Sequence, residues 1–260
     1  MSLASYELIL LTLAFFAVAT LYSAVGFGGG SSYLAILTLV LTSFFAIRTT
    51  ALLCNFTVVS GSCLLYYRSG HLHLKKFLPF VLTSIPMAFL GAAFKLEEHI
   101  FFILLALALI VSAIALIYQT LALKANFSVK EYPSYTPYIL GAVIGLLSGL
   151  VGIGGGIFLA PVLNHMKWDK PIVIASLASF FILVNSVSGI GGLFISDSFE
   201  VFWPEILALL FAVLLGGQLG VRLSLGKLSA KRIRMLTALL VLFVGIRVLL
   251  KNGLEITFFP

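Results

Sequence analysis

The sequence predicts an all-α polytopic membrane protein made of two five-segment repeats of inverted topology, each interrupted by a glycine-rich helix break. Three observations carry this. Of 260 residues, 61% are hydrophobic and 10% charged, whereas a soluble domain is roughly a quarter charged. Apolar runs recur along the chain at close to the roughly 20 residues a helix needs to cross about 30 Å of hydrocarbon. Finally, Ser23-Ala24-Val25-Gly26-Phe27-Gly28-Gly29-Gly30 returns as Gly149-Leu150-Val151-Gly152-Ile153-Gly154-Gly155-Gly156.

The long runs are Leu8–Ala24, Ala51–Tyr67, Phe77–Phe94, Ile100–Tyr118, Ile172–Ile195, Phe202–Leu219 and Met235–Leu250, with shorter ones at Tyr33–Ile47, Tyr138–Val151 and Ile157–Met166. Barrel strands would alternate over about ten residues, so these continuous, Leu-rich runs are expected as helices. Their internal Gly, Ser and Thr suit close helix packing in lipid. The first run lacks a basic n-region and leads into Gly26–Gly30 without a small-residue cleavage site, so it is expected to stay as the first span. Cys54 and Cys63 are nine residues apart in one run, on opposite faces of a helix, which excludes a disulfide between them.

The duplication continues beyond the glycines. Thr50-Ala51-Leu52 matches Ala175-Ser176-Leu177, Ser60-Gly61 matches Ser188-Gly189, and the spans near Phe77 and Phe202 each carry an early proline, Pro79 and Pro204. The division is therefore a first repeat over 1–121, a linker over 122–137 and a second repeat over 138–260.

Charge sets the orientation. Loops of one parity hold Arg68, Lys75, Lys76, Lys124, Lys130, Lys167, Lys170, Arg222, Lys227, Lys231, Arg232 and Arg234, twelve of the sixteen Lys and Arg; the other parity holds Arg48, Lys95, Arg247 and Lys251. The basic set is expected in the cytoplasm, with both termini outside a plasma membrane. The net charge of +7 is thereby explained without nucleic acid. Equivalent loops carry opposite bias: Tyr66–Lys76 is basic and Ser196–Glu200 acidic, while Lys95–His99 holds Glu97 and Glu98 and Arg222–Arg234 is strongly basic. Each half then crosses an odd number of times, which is what inverted repeats require. Tyr138–Val151 and Ile157–Met166 are both short of a full span, so the second half is expected to fold there as a hairpin or broken helix.

Non-helical backbone at membrane depth survives only where protein or a water-filled cavity satisfies it. The glycines permit positive φ and leave N–H groups unobstructed. A helix starting just after them turns a positive dipole end and unpaired N–H groups toward the break. Gly28, Gly29, Gly30 and Gly154, Gly155, Gly156 are therefore expected to cradle a small anion. Ser31, Ser32, Asn55, Ser179, Asn185 and Gln218 add O–H or NH₂ donors within apolar spans. Ser60 and Ser188 belong to the same class, for which interhelical hydrogen bonding is the alternative use. No Asp or Glu falls deep in a span, against a carboxylate proton relay or a cation site. Arg48 is expected to snorkel to the interface, with attraction of anions into a vestibule as its alternative role. No His-Glu-x-x-His or nucleotide-binding Gly-Lys-Ser/Thr motif is present, so neither metal nor cofactor is expected.

At the two Gly-x-Gly-Gly-Gly motifs, with Pro161 five residues beyond the second, the chain resembles the TauE/SafE sulfite exporter family from about Leu8 to Leu250. The resemblance implies a plasma-membrane permease that moves sulfite or a related inorganic or organic sulfur oxyanion outward. In the first half, Ser31–Ile36 lacks the proline of Ile157–Val162, and Asn55 stands where a less polar residue is expected. With no ATP motif, the expected partners are the anion, a coupling proton or ion, and membrane lipid. A passive anion channel is the alternative; an intramembrane serine hydrolase using Ser148 and His165 is the remote one.

Overall fold

The computed structural model describes residues 5–41, 43–94, 96–122, 129–201, 205–225 and 230–253. The loop charges Lys95, Lys124 and Lys227, the early proline Pro204 and part of the expected linker lie outside them. Among the described residues there are ten α-helices and no strand: α1 Ser5–Ser23, α2 Gly30–Leu37, α3 Phe44–Arg68, α4 Leu74–Ala93, α5 Glu98–Ala122, α6 Thr136–Val151, α7 Gly156–Met166, α8 Pro171–Ile195, α9 Ile206–Leu225 and α10 Ala230–Val248. Six of these, α1, α3, α4, α5, α8 and α9, are long and apolar enough to cross a membrane. The outer faces of α4 and α5 leave Leu78, Leu82, Val111 and Ile114 exposed, as a lipid solvent allows. The chain is a multi-pass membrane protein.

One expected boundary moves. Tyr33–Ile47 is not a single helix: α2 stops after eight residues and α3 begins at Phe44. Ser43 sets that start, its Oγ accepting the Ala46 N–H at 3.3 Å in an extended N-cap conformation. Consequently α2 reaches only about 12 Å and α7 about 17 Å at 1.5 Å per residue, so both halves carry a short helix directly after the glycine motif.

The first helix of each half packs on the fourth helix of the other: α6 on α4 and α1 on α9. Missing Cβ atoms make this possible. Gly141, Gly145 and Gly149 of α6 face Phe80, Ser84 and Ala88 of α4, and a Cβ on Gly145 would fall 2.6 Å from Ser84 Cα. Gly216 and Gly220 of α9 do the same against Phe16 and Thr20 of α1. Every close packing has a counterpart with the halves exchanged: α3 on α9 with α8 on α4, α2 on α3 with α7 on α8, and α10 on α2 with α5 on α7, while α3 meets α8 and α5 meets α10. The fourth and fifth helices of each half therefore pack largely on helices of the other half, α4 on α6 and α8, α9 on α1 and α3, and α5 on α10.

Loop contacts fix which ends lie together. Lys76, in the first turn of α4, pairs with Asp169, just ahead of α8, and its ammonium lies 4.6 Å from the Trp168 ring centre. On the same side the Lys130 N–H donates to Lys167 O at 3.1 Å and Tyr132 Oη to Met166 O at 2.6 Å. The chain ahead of α6 therefore sits beside the end of α7, and the pair forms a hairpin with Gly152–Gly155 at its tip. At the other end, Ser43 bonds the Glu200 carboxylate and the Glu200 N–H donates to Thr49 Oγ1 at 3.3 Å. With its start at the Glu200 end and its finish at the Asp169 end, α3 lies antiparallel to α8.

Candidate functional site

Both glycine motifs form sharp helix breaks. Gly29 and Gly155 are the N-caps of α2 and α7 with φ of 95° and 81°, and Gly26, Gly152 and Gly154 also have positive φ, which L side chains adopt only under strain. Space is also lacking: a Cβ on Gly29 would lie 2.8 Å from the Tyr33 ring and one on Gly155 2.8 Å from the Phe181 ring. The two breaks converge. Gly28, Gly29, Gly30 and Ser31 from the first share a cavity of about 10 Å³ with Ile153 and Ile157 from the second, walled by Tyr22 and Ile182. That volume holds at most about one water.

The remaining sequence candidates separate by what they bond. Asn55 Oδ1 accepts the Gly30 N–H at 2.9 Å, and its Nδ2 is buried without a partner. Ser32 is hydrogen-bonded to Tyr22 Oη at 2.7 Å. Ser179 Oγ donates to Gly26 O at 3.3 Å, tying α8 to the first break. Gly154 and Gly156 press on Ile182, as Gly28 and Gly30 press on Asn55. Asn185 is buried with both side-chain polar atoms unpartnered. Gln218 lies in α9 against Gly61, outside the cavity lining. Ser60 bonds Phe56 O in its own helix and Ser188 bonds Ile85 O of α4, which is the interhelical use. Ser148 Oγ has no hydrogen-bond partner and His165 lies exposed along an apolar groove between α5 and α7, so no nucleophile–base pair is formed.

Arg48 does not snorkel. It is 1% exposed, one turn inside α3, with its guanidinium carbon 5.5 Å from the Phe44 ring centre and 5.1 Å from that of Phe101. Its Nη2 makes one long bond, 3.5 Å, to Gly149 O of α6, and Nε has no partner. Among the described residues no carboxylate pairs with it. The sequence signal was ambiguous because Arg48 sits near the edge of an apolar run; Ser43 was the clue that the helix, and hence the burial, begins earlier.

The sequence profile described as sulfite exporter TauE/SafE matches residues 11–248, from α1 to the end of α10. The chain belongs to the TauE/SafE sulfite exporter family. This TauE/SafE protein is 33% identical over 249 residues to a probable membrane transporter protein of Sinorhizobium fredii, covering 94% of this chain and 98% of the relative. It is also 30% identical over 125 residues to a probable membrane transporter protein of Methanocaldococcus jannaschii, covering 44% and 45% of the two chains. No solved structure matches it. As a TauE/SafE protein it is a membrane transporter.

Proposed function

We propose that this protein is a secondary transporter that exports a small sulfur oxyanion, such as sulfite or an organosulfonate, across the plasma membrane by alternating access. The observation that carries the reading is the convergence of two glycine breaks at one cavity, with the first turns of α2 and α7 lining it. Helix N-termini meeting where the chain is broken offer N–H donors and positive dipole ends to an anion without a fixed counter-charge. The tightness of the cavity favours a carrier between openings over a channel, whose water path would be continuous.

The halves 1–121 and 138–260 are read as inverted repeats. In support, α3 and α8 are antiparallel, and the recurrence of each helix packing with the halves exchanged is what a two-fold axis in the membrane plane generates. The side carrying Arg68, Lys75, Lys76, Lys130, Lys167 and Lys170 is read as cytoplasmic and the side of Asp197 and Glu200 as external, which sets both termini outside. Because sulfite is present as mono- and dianion near neutral pH, a proton can be coupled through the substrate; among the described residues the long spans hold carboxylates in their first turns alone, Glu7 of α1 and Glu98 of α5.

The experiment is flux of labelled sulfite in reconstituted vesicles. Saturable flux is expected, reduced about tenfold or more by Gly29→Leu and Gly155→Leu, which force a side chain into positive-φ positions without room. Unitary currents with non-saturating flux would favour the channel. Absence of saturable flux overturns the reading.

A further inference from the structure

The two breaks are related by the repeat but differ in chemistry. The glycines of the two motifs are 126 residues apart, while within α3 and α8 a shift of 127 residues matches Arg48 with Ala175, Asn55 with Ile182 and Val59 with Ser186, and the contacts follow that register. Asn55 lies on Gly30 as Ile182 lies on Gly156, Val59 on Gly28 as Ser186 on Gly154, and Ala175 on Gly26 as Arg48 on Gly152. The first break lines the small cavity with Gly28–Ser31 and keeps Asn55 Nδ2 and Tyr33 Oη unpartnered, but it has Ala175 where the second break has Arg48. A Cβ on Gly26 would fall 2.5 Å from the Ala175 backbone, Asn55 consumes the Gly30 N–H, and Ser179 consumes Gly26 O.

The second break is open at Gly152, whereas a Cβ on Gly154, Gly155 or Gly156 would meet Ile182 or Phe181 at 2.5, 2.8 and 2.4 Å. A Cβ built on Gly152 meets just one atom within 4 Å, the unpartnered Arg48 Nε at 3.7 Å. Ser186 Oγ and Ser148 Oγ, both buried and unpartnered, lie 3.3 Å and 3.2 Å from the Cβ positions of Gly154 and Gly155. No side chain caps the N-terminus of α7, where Ile182 replaces the capping Asn55. A buried guanidinium with one long hydrogen bond and no carboxylate is costly in a membrane interior. Arg48 Nε, Ser148 Oγ and Ser186 Oγ, each beside a different glycine of this break, lack acceptors, and an oxyanion supplies several.

We propose that a single oxyanion binds off the pseudo-two-fold axis, at the second break, held by the Arg48 guanidinium, the Ser148 and Ser186 hydroxyls and the N–H groups of Ile153–Gly155. The first break has Ala175 in place of Arg48 and so offers no charge. This rests on the reading of an anion transporter and names where in the duplicated motif the anion sits. The aromatic walls, Phe44 and Phe101, exclude water from the charge and raise its attraction for an anion.

The test uses the purified full chain in detergent, with labelled sulfite in equilibrium dialysis and melting temperature measured with and without sulfite. Wild type is expected to bind one sulfite per chain and to be stabilised by it. Arg48→Met should weaken binding about a hundredfold, as loss of a buried charge partner does, and abolish the thermal shift. The surface cation change Lys76→Met should leave both intact. If Arg48→Met fails to fold, the Ser148→Ala/Ser186→Ala double variant, which keeps the charge, should weaken binding about tenfold. Two anions per chain, or an unchanged thermal shift in Arg48→Met, overturns the site, and so does unchanged affinity in the double variant. An unchanged shift together with a lower melting temperature would mark Arg48 as only a cap for the end of α6. Arg48-dependent binding without flux in vesicles would instead leave the site standing and overturn the transport reading.

Discussion

Asn55 Oδ1 accepts the backbone N–H of Gly30 at 2.9 Å, so that a side chain near the middle of α3 caps the first residue of α2. Helix N-termini have N–H groups with no intrahelical acceptor, and here one of them is satisfied from a neighbouring helix. The equivalent contact in the second half is apolar, Ile182 on Gly156, which leaves that end of the motif without a side-chain acceptor.

Asn55→Ala leaves the Gly30 N–H buried and unpaired. The expected cost is about 1–3 kcal/mol. Thermal unfolding of the purified protein should show it as a melting temperature lower by about 2–4 °C per kcal/mol. An unchanged midpoint would mean that the cap contributes nothing to the break.

Helix contact through glycine is the second target. Gly145→Val places a branched side chain where Ser84 backbone lies 2.6 Å from the Cβ position, and α6 cannot move away without losing α4 along its whole length. Folded yield is expected to collapse, as monitored by size-exclusion profile after extraction. Gly70→Ala is the comparison: φ is +73° but nothing lies within 4 Å, so only backbone strain of about 1–2 kcal/mol is expected. Equal yields for the two variants would show that the α4–α6 approach is not close.

Orientation is checked by labelling. Cys54 and Cys63 are buried, which keeps the background low. In intact cells, a membrane-impermeant maleimide should modify Asp197→Cys and spare His73→Cys; both positions are exposed, at opposite ends of α3 and α8. The reverse pattern would invert the assigned topology.

Much of the helix plan was legible in the chain. The run Ile172–Ile195 became α8, Pro171–Ile195, and Tyr138–Val151 and Ile157–Met166 became α6 and α7 within two residues, because apolar length and the glycine break are local properties. The glycines were legible as breaks for the same reason: positive φ is a demand on one residue. The α2–α3 boundary was missed because Tyr33–Ile47 is apolar apart from Thr38, Thr42 and Ser43, and no Gly, Pro or charge marks where α2 ends and the Ser43 cap starts α3.

By itself the sequence determined that this is a multi-pass membrane protein with a duplicated helix break, since hydrophobic length, loop charge and glycine placement are written along the chain. Tertiary structure alone decided that the two breaks converge on one cavity, that α4 and α9 pack against the first helix of the opposite half, and that Arg48 is buried beside Gly152 rather than at the interface. Those outcomes depend on which surface a distant helix presents. Arg48 and Gly152 come from different halves of the chain, and no periodicity within either one reports the space between them.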